Sequence, residues 1–275
     1  MAAGIENAVE NCNDPAPRGT RTVFAACTCT RRRHELSREE RNAHFGTRYA
    51  GNWRRRLRRP LTLYEGINEC VLSLVPLESE RILDVGCGTG TTGERLRHIR
   101  DRSVVGITYS REEADLASKR LSQVVCAELN TFDFSGLGTF DCVILSHILE
   151  HLYSPEDLLE RLKCVLRPNS LIVVALPNVV WWRQRLQFLI GRWRYQDWGI
   201  LDRTHYRFFD MQSSEGLLKQ AGYEILRSRR DGPLPLTQPL RRLLGPIAVR
   251  MDRIMCSVAP GLFAFQFVYL ARIKR

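Results

Sequence analysis

Ile82-Leu83-Asp84-Val85-Gly86-Cys87-Gly88-Thr89-Gly90 decides how the rest of this chain is read. A short apolar run ends in a carboxylate and enters three glycines at alternate positions. The run has the length of a buried strand, and the pattern that follows it to about Ile99 is helical. Glycines between a strand and a helix let a ligand approach the backbone, because no Cβ stands in the way. Two spacings overlap here. Gly88, Gly90 and Gly93 fit the G-x-G-x-x-G of dinucleotide sites, which alone is a weak pattern. Asp84, Gly86, Gly88 and Gly90 form an acidic strand end with G-x-G-x-G. A carboxylate just before the turn is repelled by a pyrophosphate and attracted by a cationic group, so the second spacing fits better.

Working outward, strands alternate with helices. The pattern predicts strands at Arg81–Val85, Ser103–Thr108, Gln123–Cys126, Phe140–Leu145, Leu171–Leu176, Glu224–Ser228 and Phe263–Ala271. Helices are predicted at Glu112–Leu121, Pro155–Val165 and Gln212–Ala221. Such alternation implies an α/β fold: a parallel sheet with helices on both faces. The domain is expected to span residues 79–275, with insertions at about 178–210 and 231–260. Leu63, Ile67, Val71 and Leu74 lie at helical spacing, so 36–78 reads as a helical extension. Residues 1–35 lack apolar periodicity and read as a disordered or loosely attached leader.

The chain has 275 residues, 44% hydrophobic and 26% charged. That composition excludes collagen, a disulfide scaffold and a wholly disordered chain. Nine scattered cysteines without a C-x-x-C pair read as reduced thiols of a cytoplasmic protein. Glu6, Glu10 and Asp14 stand where a signal peptide would be basic and apolar, and no apolar run is long enough to span a membrane. Net charge is +11, with 13 Lys/Arg against 6 Asp/Glu in residues 1–60 and 17 against 7 in 181–275. Basic flanks suit an anionic partner; a merely solubilising surface explains them as well. Leu240, Leu244, Ile247, Met251 and Ile254 recur at helical spacing among arginines. Packing on the domain is the expected role of this stripe, and lying on a membrane surface is the alternative.

The acidic G-x-G-x-G resembles the signature of class I S-adenosylmethionine methyltransferases. After the fourth strand, Ser146-His147-Ile148-Leu149-Glu150-His151 resembles the LEH segment of the ubiquinone-type O-methyltransferases and the methionine-biosynthesis W-like group. The likeness continues through Leu176-Pro177-Asn178-Val179, Arg192-Trp193-x-Tyr195 and Gly199 to Phe209. It implies a seven-stranded Rossmann-like sheet with the last strand antiparallel, and S-adenosylmethionine as cofactor. It also implies that Asp84, Gly86, Cys87, Gly88, Gly90, Thr108, Tyr109, Glu128, Leu129 and Ser146 hold that cofactor. Thr108 departs from the pattern, since the resemblance puts an acid there for the ribose hydroxyls, and a threonine hydroxyl binds more weakly. Glu128 fits the adenine amino group, and Tyr109 can stack beside the ring.

On a helix, His147, Glu150 and His151 share a face. Metal ligation, general-base chemistry and a structural role are all open to them. Some of the resembled enzymes hold a metal with Glu-x-x-Glu-His, but His147 replaces the first Glu, and no metal is expected. His151 and His205, with Glu150, are the acid–base candidates. Tyr195, Asp202, Arg203 and Arg207 are the acceptor candidates, with arginines suited to an anionic group. Trp181, Trp182, Trp193 and Trp198 can wall the pocket. The expected acceptor is a hydroxyl of a small molecule or sugar, in secondary-metabolite or surface-glycan synthesis. An RNA or protein methyltransferase using the basic flanks is the alternative, as is a non-catalytic binding module. Nucleic acid is not expected, because Leu176-Pro177-Asn178-Val179 is no Asn-Pro-Pro-Tyr tetrapeptide.

Overall fold

The computed structural model describes residues 23–25 and 66–274. Its sheet contains β1 (Val23–Ala25), β2 (Arg81–Val85), β3 (Ser103–Thr108), β4 (Gln123–Cys126), β5 (Phe140–Ser146), β6 (Leu166–Pro177), β7 (Tyr223–Asp231) and β8 (Gln266–Ile273). They lie in the order β1-β4-β3-β2-β5-β6-β8-β7. The first six are parallel, and β8 runs antiparallel to both β6 and β7. Strands β2 to β8 are the seven expected from the sequence. The additional edge strand β1 comes from the stretch read as a leader, the rest of which lies outside the described residues, as do 36–65.

The parallel strands are apolar through their middles because both faces are covered. Leu83, Val85, Val105, Ile107, Val143 and Leu145 point into one core. Ile82, Val104, Cys142 and Ile144 point into the other. The first core is closed by α4 (Pro155–Arg161) and α6 (Met211–Gln220), through Leu158, Leu159, Leu217 and Leu218. The second is closed by α1 (Glu69–Leu72), α2 (Thr91–Ile99) and α3 (Arg111–Ala117), through Val71, Leu96, Ala114 and Ala117. From β2 the chain winds outward to β3 and β4, then returns to β5 on the other side of β2. That reversal opens a crevice at the carboxyl ends of β2 and β5, the place where open α/β sheets bind ligands.

The two insertions carry α5 (Trp182–Leu189), and α7 (Gln238–Leu244), α8 (Pro246–Val258) and α9 (Pro260–Phe263). Three expectations need correction. The last strand begins at Gln266 because Pro260 opens the short helix α9 ahead of it. Helix α1 covers only Glu69–Leu72 of the helical spacing that runs from Leu63 to Leu74, whose first residues lie outside the described ones. The stripe from Leu240 to Ile254 stays largely exposed, with only Leu244 half-buried. Gly245 (φ 47°) ends α7, Pro246 starts α8, and the face turned to the domain carries Ala248 and Cys256 instead.

Candidate functional site

Strand β2 delivers Asp84 to the crevice, two residues before Gly86 opens the glycine turn. Gly86, Gly88 and Gly90 all have positive φ (78°, 52° and 82°), so side chains at these positions would be strained. The turn hangs on β3 through the Gly86 and Cys87 amides, which donate to the Ile107 carbonyl at 2.8 and 2.9 Å. Gly90 caps α2 without a side-chain acceptor, leaving that helix start to attract negative charge. Gly93, the third glycine of the dinucleotide spacing, has another task. A Cβ there would stand 2.5 Å from Leu121, so the glycine lets α2 lie close to the sheet.

Asp84 is 2% exposed, and its Oδ2 has no hydrogen-bond partner. Burial pushes its carboxyl from 3.8 up to about 7. A buried acid with an unpartnered oxygen is a receptor for a cation. Cys87, also buried, has its thiol pushed well up by burial, then by the Asp84 and Glu113 charges.

The end of β3 shows what sequence reasoning missed. Thr108 is buried, and its hydroxyl donates to Glu113 Oε2 at 2.6 Å. The acid absent from the strand therefore arrives from the first turn of α3, five residues on. Tyr109, 74% exposed, stands free to stack against a planar ring. Glu128 is exposed, and its Oε1 accepts from both the Asn130 backbone amide and the Asn130 side chain. The Leu129 side chain is buried in the first core, so only its backbone can meet a ligand.

Past Ser146 the expected helix does not form. His147 is left-handed (φ 53°), the sole non-glycine residue with positive φ among the described residues. A 3-10 turn, Leu149–His151, follows. His147 and His151 therefore part company. His147 Nδ1 lies 3.3 Å from Glu150 Oε1, and its Nε2 lies 2.9 Å from Gln266 Oε1. Gln266 is in turn bonded to Asn68, ahead of α1. Two acceptors on the two ring nitrogens suit an imidazolium. Burial pulls the His147 pKa down, but the hydrogen bond to Glu150 and its charge outweigh this and leave it raised. Burial pushes the Glu150 carboxyl up, while the His147 hydrogen bond and the neighbouring histidines leave it lowered overall.

His151 turns the other way. Its Nδ1 lies 3.0 Å from Thr204 Oγ1, and that hydroxyl donates to Asp202 Oδ1 at 2.8 Å. A hydroxyl has one proton, and Asp202 takes it. His151 Nδ1 must then carry its own proton, which leaves the lone pair on Nε2. His205 Nδ1 faces the Ile200 carbonyl at 3.1 Å, so its free lone pair is also on Nε2. Burial lowers the His205 pKa, which disfavours the charged ring. The two rings meet edge to face, 4.6 Å between centroids. Donor atoms of Glu150, His151 and His205 lie within 4.8 Å of one another, so the trio that gathers includes His205 and omits His147.

The acceptor candidates divide. Asp202 is buried and belongs to the His151 relay. Arg203 pairs with Asp197, and both Nε and Nη2 of Arg207 donate to the Tyr153 carbonyl. Tyr195 and Trp198 are exposed, while Trp181 is buried with Ile200 and Leu201 in a small core of its own. Trp182 packs partly buried against that core, and Trp193 stacks on Phe188. The aromatic segment thus mainly holds the His205 loop in place.

A family profile described as a methyltransferase domain matches residues 37–228. An O-methyltransferase, cnsE, of Penicillium expansum is 33% identical over 114 residues, covering 39% of this chain and 41% of its own. The mitochondrial ubiquinone biosynthesis O-methyltransferase of Rattus norvegicus is 27% identical over 164 residues, 54% of this chain and 46% of that one. The chain thus spans less than half the length of these curated relatives. Among solved structures, the plantazolicin methyltransferase BpumL with a pentazolic desmethylPZN analog and SAH shares the fold. Its TM-score is 0.50 at 17% identity, covering 75% of this chain and 82% of that one. With the glycine turn, the sheet order and this match over most of its length, the chain belongs to the methyltransferase domain family.

Proposed function

We propose that the chain is an S-adenosylmethionine-dependent O-methyltransferase acting on a hydroxyl of a small molecule or sugar. The observation that carries the reading is the unpartnered, buried Asp84 carboxylate beside the glycine turn. It suits the cationic amino group of the cofactor's methionyl end. The uncapped start of α2 suits the methionyl carboxylate. Glu113, oriented by Thr108, suits the ribose hydroxyls, and Glu128 the adenine amino group. When bound, S-adenosylmethionine supplies a methyl group on a sulfonium, a strong leaving group that departs as S-adenosylhomocysteine. The protein therefore chiefly aligns the acceptor and removes its proton.

An oxygen acceptor arrives protonated, and a base is what the second half of the site offers. His151 Nε2 takes the proton of the acceptor hydroxyl. Thr204 and Asp202 hold the tautomer that makes Nε2 the base. His205, edge to face with His151 and with its Nδ1 on the Ile200 carbonyl, offers a second Nε2 lone pair. The O-methyltransferase names of the relatives agree with this chemistry.

Mass spectrometry of cell extracts incubated with the protein and S-adenosylmethionine tests the reading. It requires a metabolite that gains one CH2 on oxygen. No thermal shift with S-adenosylmethionine would favour a non-catalytic module. Methylation confined to RNA or protein, and falling steeply with salt, would favour the alternative built on the basic flanks.

A further inference from the structure

We infer that the outer face of α8 docks on a bilayer surface rich in anionic lipids. Ile247, Met251, Ile254 and Val258 are spaced four, three and four residues apart, so they form one stripe along the helix. They are 60%, 39%, 51% and 75% exposed. The face turned to the domain is a different one, carrying Ala248 and Cys256. Arg250 borders the stripe on its solvent side and Arg253 lies further round the same exposed side, and neither has an ion pair among the described residues. Across residues 238–263, four arginines stand against a single acid, Asp252, which already pairs with Arg241.

Soluble proteins seldom leave a contiguous apolar stripe open to water. Charge selects what covers this one. A second copy would bring the same arginines against each other, within a region holding 17 Lys/Arg and 7 Asp/Glu. The chain's own residues 1–60, with 13 Lys/Arg against 6 Asp/Glu, have the same sign. A membrane interface offers apolar depth for the stripe and anionic headgroups for Arg250 and Arg253 at once. Among the described residues no helix is long and apolar enough to cross a membrane, so the contact is peripheral. Topology gives the contact a use. The insertion leaves the sheet at Asp231 and re-enters at Gln266, which pairs with Pro177 at the carboxyl end of β6. The docking helix thus sits on the same edge of the sheet as the glycine turn.

Co-sedimentation of the full chain tests this with vesicles of equimolar phosphatidylglycerol and phosphatidylcholine, and of phosphatidylcholine alone. Binding to the anionic vesicles should be about tenfold tighter or more, and should weaken with salt. Met251→Asp/Ile254→Asp and, separately, Arg250→Glu/Arg253→Glu should each weaken it roughly tenfold or more. All variants should keep the wild-type thermal shift with S-adenosylhomocysteine. Wild-type chain that ignores both vesicles, or variants that bind as the wild type does, would overturn the inference. So would a wild-type dimer that the stripe variant converts to monomer, which assigns the face to a second copy. A photo-reactive residue at 251 that cross-links to residues 1–60 of its own chain would overturn it as well.

Discussion

Asp84→Asn separates what the buried acid costs the fold from what it gives the ligand. Burial moves this carboxyl from 3.8 up to about 7. At about 1.4 kcal/mol per tenfold in acidity, ionising it in the free protein costs about 4 kcal/mol more than in water. Below pH of about 4 the folded and unfolded chains both carry the proton. Between about 4 and about 7 the unfolded chain sheds it and the folded chain keeps it, so stability falls as pH rises, and the full penalty is present above about 7. The asparagine variant never ionises. It leaves a buried amide unpaired at a cost of about 1–3 kcal/mol, so at pH 8 it should be more stable than wild type by about 1–3 kcal/mol. At pH 5 the advantage should be gone. Ligand binding should show the converse. A cation prefers the ionised acid, so a proton competes with it, and affinity for S-adenosylhomocysteine should be about tenfold weaker at pH 6 than at pH 8. At pH 7 binding should release about half a proton, which calorimetry in buffers of different ionisation heat can count. Measuring Asp84→Asn beside the wild type removes the ligand's own titration. An asparagine variant that is destabilised at pH 8, or that matches wild-type affinity across this range, would refute the assignment of Asp84.

Glu113→Gln should weaken S-adenosylhomocysteine binding by about 10- to 100-fold, the worth of a charge-assisted hydrogen bond, and calorimetry showing no change would remove it from the ribose site. Thr204→Val should lower turnover by about 10- to 100-fold and change its pH profile, with cofactor affinity intact. Thr204→Ser should restore both, and a serine variant as slow as the valine would mean that Thr204 only packs. His151→Ala should lower turnover by about 100-fold or more without altering cofactor affinity, and wild-type rates would end its role as base. Chelation with EDTA should leave turnover unchanged; a loss that added divalent cation restores would reassign Glu150, His151 and His205 as metal ligands.

The sheet was legible because strands covered on both faces are apolar along most of their length, and Arg81–Val85, Ser103–Thr108 and Gln123–Cys126 lie where the pattern put them. The glycine turn was legible because its spacing is local. Glu113 was not, because an acid on the first turn of a helix reads as an ordinary dipole partner until Thr108 is seen donating to it. The histidines were misread for a related reason. Helical spacing groups 147 with 151, but one left-handed residue after β5 separates them and lets a loop some fifty residues on supply His205. In α7 and α8 the period announced a stripe, and nothing in the period tells a covered stripe from a bare one.

Asp231 and Gln266 are facing partners on neighbouring strands, and the Phe265 amide donates to the Asp231 carbonyl. A Cβ at Gly232 would collide with the Phe263 carbonyl, so the ascending and descending limbs touch where they leave the sheet. The excursion from 232 to 265 is therefore a cassette closed at its neck. Replacing it with a two-residue hairpin should spare the strand register and the glycine turn alike. The same socket offers protein engineers a place to graft a foreign targeting module beside the reaction centre.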